Sequence, residues 1–121
     1  MVAPIQRICA AAPAVTALIG ANPIRLYAFG EAPQNVAKPY AVWQVVSGSP
    51  INFVSGEPSM DRYGLQIDVY ADTGAEAEKT SMAIRKAIGP YCYITGFNLD
   101  SRDTTTKNYR KGFDAGWLVD L

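Results

Sequence analysis

The side chains with the richest chemistry are the carboxylates Asp68, Asp72, Asp100, Asp103, Asp114 and Asp120 and the basic run Arg102, Lys107, Arg110 and Lys111. Paired carboxylates can divide acid and base work across a scissile bond, and clustered ones can hold a hard cation. Their spacing here supports neither use, because it contains no EF-hand loop, no glycosidase pairing and no cluster with histidine. They are expected at solvated strand ends and turns. The chain has no histidine at all. That removes the usual metal ligand, the usual base at neutral pH, and any Ser-His-Asp or Cys-His arrangement. Cys9 and Cys92 stand far apart with no Cys-x-x-Cys spacing, and each is expected to be a buried small hydrophobe rather than half of a disulfide.

The basic run could touch nucleic acid, but interleaved threonines and Asp103 dilute it. A solvated hairpin tip or a salt bridge is the expected role. Basic and acidic residues balance at 11 each, which argues against a general polyanion-binding surface. Gly112-Phe113-Asp114-Ala115-Gly116 is neither a dinucleotide fingerprint nor a P-loop. Gly116 is expected to mark a bulge or a close backbone approach. No catalytic residue, metal or cofactor is therefore expected, and the chain reads as a non-enzyme.

The elements that position these residues follow from periodicity and punctuation. At 121 residues the chain fits one domain, residues 1–121, able to bury roughly 65 to 70% of its unfolded surface. Ile5, Ile8, Cys9, Ala12, Val15 and Ile19 recur at helical spacing after Pro4, and Pro13 is expected to kink or divide that helix. The apolar run from Cys9 to Ala21 has some signal-peptide character. A thin basic flank and Pro13 speak against that reading, and the run is too short to span a bilayer. A soluble chain made inside the cell is expected.

Ile24 to Ala28 reads as a short strand, with Ile24, Leu26 and Ala28 on one face. In Tyr40 to Ser47 both faces are largely apolar: Tyr40, Val42, Gln44 and Val46 on one, Ala41, Trp43, Val45 and Ser47 on the other. A central strand covered on both sides, or one buried by a neighbouring subunit, would explain this. Gly48 to Asp61 reads as a long excursion around the apolar residues Ile51, Asn52, Phe53 and Val54. Exposed apolar residues there would either fold back or meet a partner. Arg62 to Tyr70 alternates, with Tyr63, Leu65, Ile67 and Val69 against Arg62, Gln66 and Asp68.

Thr73 and Glu76 have capping-box spacing before a helix from Gly74 to about Ile88, with Ala77, Thr80, Ser81, Ile84, Ala87 and Ile88 on its buried stripe and Gly89-Pro90 as its stop. Tyr91 to Asp100 and Tyr109 to Leu121 complete the chain as strands, with Trp117, Val119 and Leu121 alternating into the core. The expected fold class is α+β: an antiparallel or mixed β-sheet with helices on one face, in the order α-β-β-β-α-β-β.

The succession of the Ile24-Arg25-Leu26-Tyr27 strand, the Glu31-Ala32-Pro33-Gln34 loop, and Pro39-Tyr40 heading an apolar strand that ends in Ser47-Gly48 resembles the tail-completion, or tail-terminator, family of long-tailed (siphovirus-type) bacteriophages. The likeness continues through the strand Arg62 to Asp72 and the Ala/Glu-rich helix after it, covering roughly two thirds of the chain. It implies a structural protein of the virion, made in the host cytoplasm and placed at the head-proximal end of the tail. It implies a ring, usually a hexamer, that caps the tail tube, stops its polymerisation and offers the surface for head joining, while DNA passes through the lumen without sequence recognition. The implied partners are copies of the chain itself, the tube protein and a head-completion or connector protein, with no membrane involved.

A ring needs two different surfaces per subunit. The neighbourhood of Tyr40, Val42, Gln44 and Val46 and the first helix are the candidates for it, and Ile51, Asn52, Phe53 and Val54 for tube or subunit contact. Another neck or head-closure connector and a small α+β ligand-binding module are the alternatives.

Overall fold

The computed structural model describes residues 3–51, 60–102, 104, 106 and 108–120, and for Asn98 and Leu99 the backbone alone. Its elements are α1 (Ile5–Ala10), α2 (Pro13–Ile19), β1 (Leu26–Ala28), β2 (Tyr40–Ile51), β3 (Met60–Ala71), α3 (Gly74–Ile88), a 3-10 turn (Gly89–Tyr91), β4 (Tyr93–Arg102) and β5 (Tyr109–Asp120). The strands form one five-stranded sheet in the order β1-β2-β3-β5-β4. β1 runs parallel to β2 and every other pair is antiparallel, so the class is α+β with a mixed sheet. Among the described residues no helix is long and apolar enough to cross a membrane.

The local signals act as their chemistry requires. Pro13 lacks an N–H and begins α2 at a helical N-terminus, where none is needed. It divides the N-terminal segment into two short helices. Thr73 caps α3 by accepting a bond from the Glu76 N–H at 3.1 Å, and Ala77, Thr80, Ser81, Ile84 and Ile88 form its buried stripe.

The helices cover one face of the sheet. Leu65, Ile67 and Val69 of β3 and Phe113, Ala115 and Trp117 of β5 all lie at or below 1% exposure there, against Ile5, Cys9, Val15, Ile19, Ile84 and Ile88. Trp117 and Val119 are in the core as their alternation predicts. Arg25 closes the corner between helix and sheet, donating from Nε to Pro39 O at 3.0 Å and from Nη2 to Leu18 O at 3.1 Å.

Several expectations change. The first strand is shorter than Ile24 to Ala28, although Ile24 still packs against the core. The excursion from Gly48 to Asp61 is largely ladder: β2 continues to Ile51 and β3 begins at Met60, with Gly48 opposite Tyr63 and Ile51 opposite Met60. Pro50 fits inside β2 because β1 ends opposite Trp43, which leaves the rest of β2 a free edge where a missing N–H costs no ladder bond. For the same reason β2 is no central strand covered on both sides. Helices cover its Ala41 and Trp43 side, while Val45 and Val46 are 44% and 54% exposed.

The irregularity expected at Gly116 lies elsewhere, in β2 between Val45 and Ser47 and twice in β4. Gly64 stands opposite Ser47 beside the β2 bulge, and a Cβ there would force the Ser47 hydroxyl to turn away.

Candidate functional site

The described helices leave the opposite face of the sheet open. Along β2 it carries Tyr40, Val42 and Gln44, opposite Tyr70, Asp68 and Gln66 of β3 in register, with Val46 at the bulge beyond. The structure thus brings Tyr40, Val42, Gln44 and Val46 together in one column of this face. At one end the Tyr40 and Tyr70 rings stack with centroids 5.0 Å apart and planes at 15°. Burial pushes both phenols up. For Tyr70 the Arg110 charge pulls down while Asp68 and Tyr40 push up, and the net direction is upward.

Asp68 corrects the reading of the carboxylates as solvated. It is buried in the middle of the sheet, accepts from Arg110 Nη2 at 2.9 Å and contacts Gln66 Nε2 at 3.3 Å. Alternation placed it off the core face, but its partner is 42 residues further on, beyond any local signal. Burial lowers the Arg110 pKa, and the hydrogen bond and charge of Asp68 reverse this, so the guanidinium ends above its ordinary value. Arg110 is therefore an internal counter-ion.

The other basic residues also separate. Arg102 lies over the Tyr109 ring at 5.2 Å. Lys111 bridges Glu78 of α3 and Asp100 of β4. Lys107 and Asp103 lie outside the described residues. No basic strip comparable to a nucleic-acid surface is assembled from the described ones.

Ile51 closes the described part of the β2–β3 ladder, half-buried opposite Met60. Asn52, Phe53 and Val54 lie outside the described residues. The outer ladder, Ser47 to Pro50, is exposed and reaches past the end of β1.

Two hollows flank α3. One, of about 480 Å³, is lined by Ser81, Met82, Arg85, Phe97 and Asp100 among others, and the Arg85 guanidinium sits 4.6 Å over the Phe97 ring. The other is a groove of about 740 Å³ between α2 and α3, lined by Ala14, Ala17, Leu18, Met82 and Ala83 and edged by Lys79 and Lys86. Among the described residues no group of three or more His, Cys, Asp or Glu could hold a metal ion. Cys9 and Cys92 are free thiols, as expected, and burial pushes them up to about 12 and about 11.

Sequence reasoning missed Gln6, whose Nε2 donates to Leu26 O at 2.6 Å while its Oε1 accepts from Trp43 Nε1 at 3.1 Å, tying α1 to β1 and β2. It also missed Arg85 and Phe97. Helical spacing puts Arg85 on the polar side of α3, and only the sheet order brings Phe97 beneath it.

Among curated proteins no sequence matches. A chain in the solved structure "Virion of native gene transfer agent (GTA) particle" has a similar fold, with a TM-score of 0.64 at 15% identity over 97% of this chain and 92% of that one. Residues 3–118 match the family described as "Tail completion protein gp17". The chain belongs to the tail completion protein gp17 family.

Proposed function

We propose that this protein is a structural, non-enzymatic tail completion protein of a bacteriophage or phage-like particle. In this reading it forms a ring, with the hexamer as the expected closure, on the head-proximal end of the tail tube. The ring ends tube polymerisation by covering the growing face and presents the surface for a head-completion partner. The observation that carries the reading is the family match, which spans nearly the whole described fold. The likeness to a chain of a virion particle supports a place in such an assembly.

The geometry offers surfaces for assembly: among the described residues the fold carries an open sheet face and a β2–β3 ladder that outruns β1. We assign tube contact to the ladder's end and the residues that follow it, Ile51, Asn52, Phe53 and Val54, and the ring neighbourhood to Tyr40, Val42, Gln44 and Val46. The lumen passes DNA without reading it, consistent with a chain of zero net charge.

Electron microscopy of tails assembled with and without the protein tests this. Capped tails of uniform length carrying a ring at one end are expected with it, and overlong or head-free tails without it. Phe53→Ser should reproduce the deficient phenotype while leaving the melting temperature of the isolated subunit unchanged. Tails of normal length in the protein's absence would sink the reading.

A further inference from the structure

Among the described residues, the large apolar side chains left in water fall on two opposite margins of the sheet. Phe29, Val45 and Val46 lie on the β1–β2 side, and Tyr91, Tyr93, Phe97 and Leu118 on the β4–β5 side; β3 between them contributes none. Closed rings are built from two unlike patches on different sides of one subunit. From this distribution, and resting on the ring reading above, we infer that the turn carrying Phe29 and Glu31 docks into the Arg85–Phe97 hollow of a second copy of this chain.

The knob is pre-organised. Phe29 is 72% exposed, yet it sits at the corner of a closed turn: the Glu31 N–H donates to Ala28 O at 3.0 Å, and the Phe29 N–H donates to Trp43 O at 2.9 Å. Gly30 supplies the left-handed φ of 83° at the third position, as a type II turn requires. A turn whose backbone is closed in this way loses little backbone entropy on binding.

The hole has the matching chemistry. The 480 Å³ hollow offers Met82 and the Phe97 ring, itself 71% exposed, as apolar wall. Its two carboxylates, Glu78 and Asp100, are both bridged by Lys111. Among the described residues the Arg85 guanidinium meets the Phe97 ring and forms no ion pair, and its Nε is buried without a hydrogen-bond partner. The hollow is thus a mixed slot, apolar at Met82 and Phe97 and polar elsewhere, in which Arg85 is the cation without an ion pair among the described residues. Glu31, exposed beside Phe29, forms no ion pair among the described residues. Seating Phe29 against Phe97 brings a carboxylate to the guanidinium, an aromatic contact and a charge-assisted bond in one step.

Pairing of free sheet edges is the competing way to join these margins. The bulges in β2 and β4 and Pro50 disfavour it, because they interrupt the ladder that an added strand would need.

The test is a cysteine pair, Phe29→Cys with Phe97→Cys, in a Cys92→Ala background. The two positions lie on opposite margins, β1 and β4 being four strand spacings apart, about 19 Å. A disulfide between them must therefore join two copies. Mild oxidation of the concentrated or tube-bound protein is expected to give a ladder of covalent oligomers ending at the closed ring, and neither single-cysteine protein should extend past a dimer. In parallel, Glu31→Arg and Arg85→Glu should each raise the concentration needed for assembly about tenfold or more, and the double reversal should restore most of it, with melting temperatures of the subunits unchanged. If the parent protein forms rings but the pair fails to cross-link and both charge variants assemble normally, the docking is overturned and the ring reading stands. If the parent forms no ring free or on tubes, both fall together.

Discussion

Asp68 and Arg110 show how a charge is tolerated inside the sheet. The carboxylate is 8% exposed and the guanidinium 36%, with the Gln66 amide beside the same oxygens. Such a pair contributes little net stability but makes loss of Arg110 costly, since the surviving Asp68 carboxylate remains desolvated. Cys9 is the residue whose titration can be followed. Its side chain is fully buried, and burial raises the thiol from 9.0 to about 12. The folded-state value is above the unfolded one, so this contribution to stability is whole below pH 9 and is lost as pH rises toward 12. Within that window each pH unit removes about 1.4 kcal/mol. The expected outcome is a fall in urea midpoint from pH 8 to pH 10 that is smaller in Cys9→Ala than in the parent. Equal falls would mean that the thiol ionises as easily folded as unfolded.

At the scale of elements, two tryptophans distinguish the centre of the sheet from its margin. Trp117 on β5 is 1% exposed and packs under the helices. Trp43 on β2 is half-buried and anchored through its indole N–H to Gln6. Complete burial sets the cost of truncation to alanine at about 3 to 5 kcal/mol. The partial burial of Trp43 lowers its cost to roughly half of that, including the lost bond to α1. Urea unfolding should rank Trp117→Ala well below Trp43→Ala in midpoint, with both below the parent. A reversed order would mean that α1 and β2 hold the fold together more than the β3–β5 centre does.

At the scale of the whole molecule, the described surface divides into a helix layer, an uncovered polar-apolar face and two apolar margins. That distribution is the basis of the ring proposed above. Charge is largely internalised as well, because the described basic residues near the β4–β5 hairpin, Arg102, Arg110 and Lys111, face Tyr109, Asp68, and Glu78 with Asp100. Duplex DNA should therefore bind the isolated protein without appreciable affinity. Titration in low salt should give no saturable binding. A log-log salt slope of about −5 or steeper would instead reveal several phosphate contacts and overturn the passive lumen.

Local chemistry in the sequence decided much of this fold. The Thr73–Glu76 cap and the 3.6-residue stripe wrote α3 from Gly74 to Ile88, Pro13 divided the first helix, and strict alternation wrote the core face of β3. The order of the Ile24 to Gly48 segment also carried the resemblance to the tail-completion family. Beyond the sequence's reach lay everything that depends on which strand neighbours which. Sheet order made β2 an edge strand past Trp43, so its two apolar faces did not mean two covers. Pairing of β3 with β5 set Arg110 against Asp68, and packing of α3 over β3 and β5 brought Arg85 to Phe97 on the neighbouring β4. Periodicity reports which way a side chain points from its own backbone. What stands on the other side is set by residues tens of positions away, and only the closed tertiary structure brings them there.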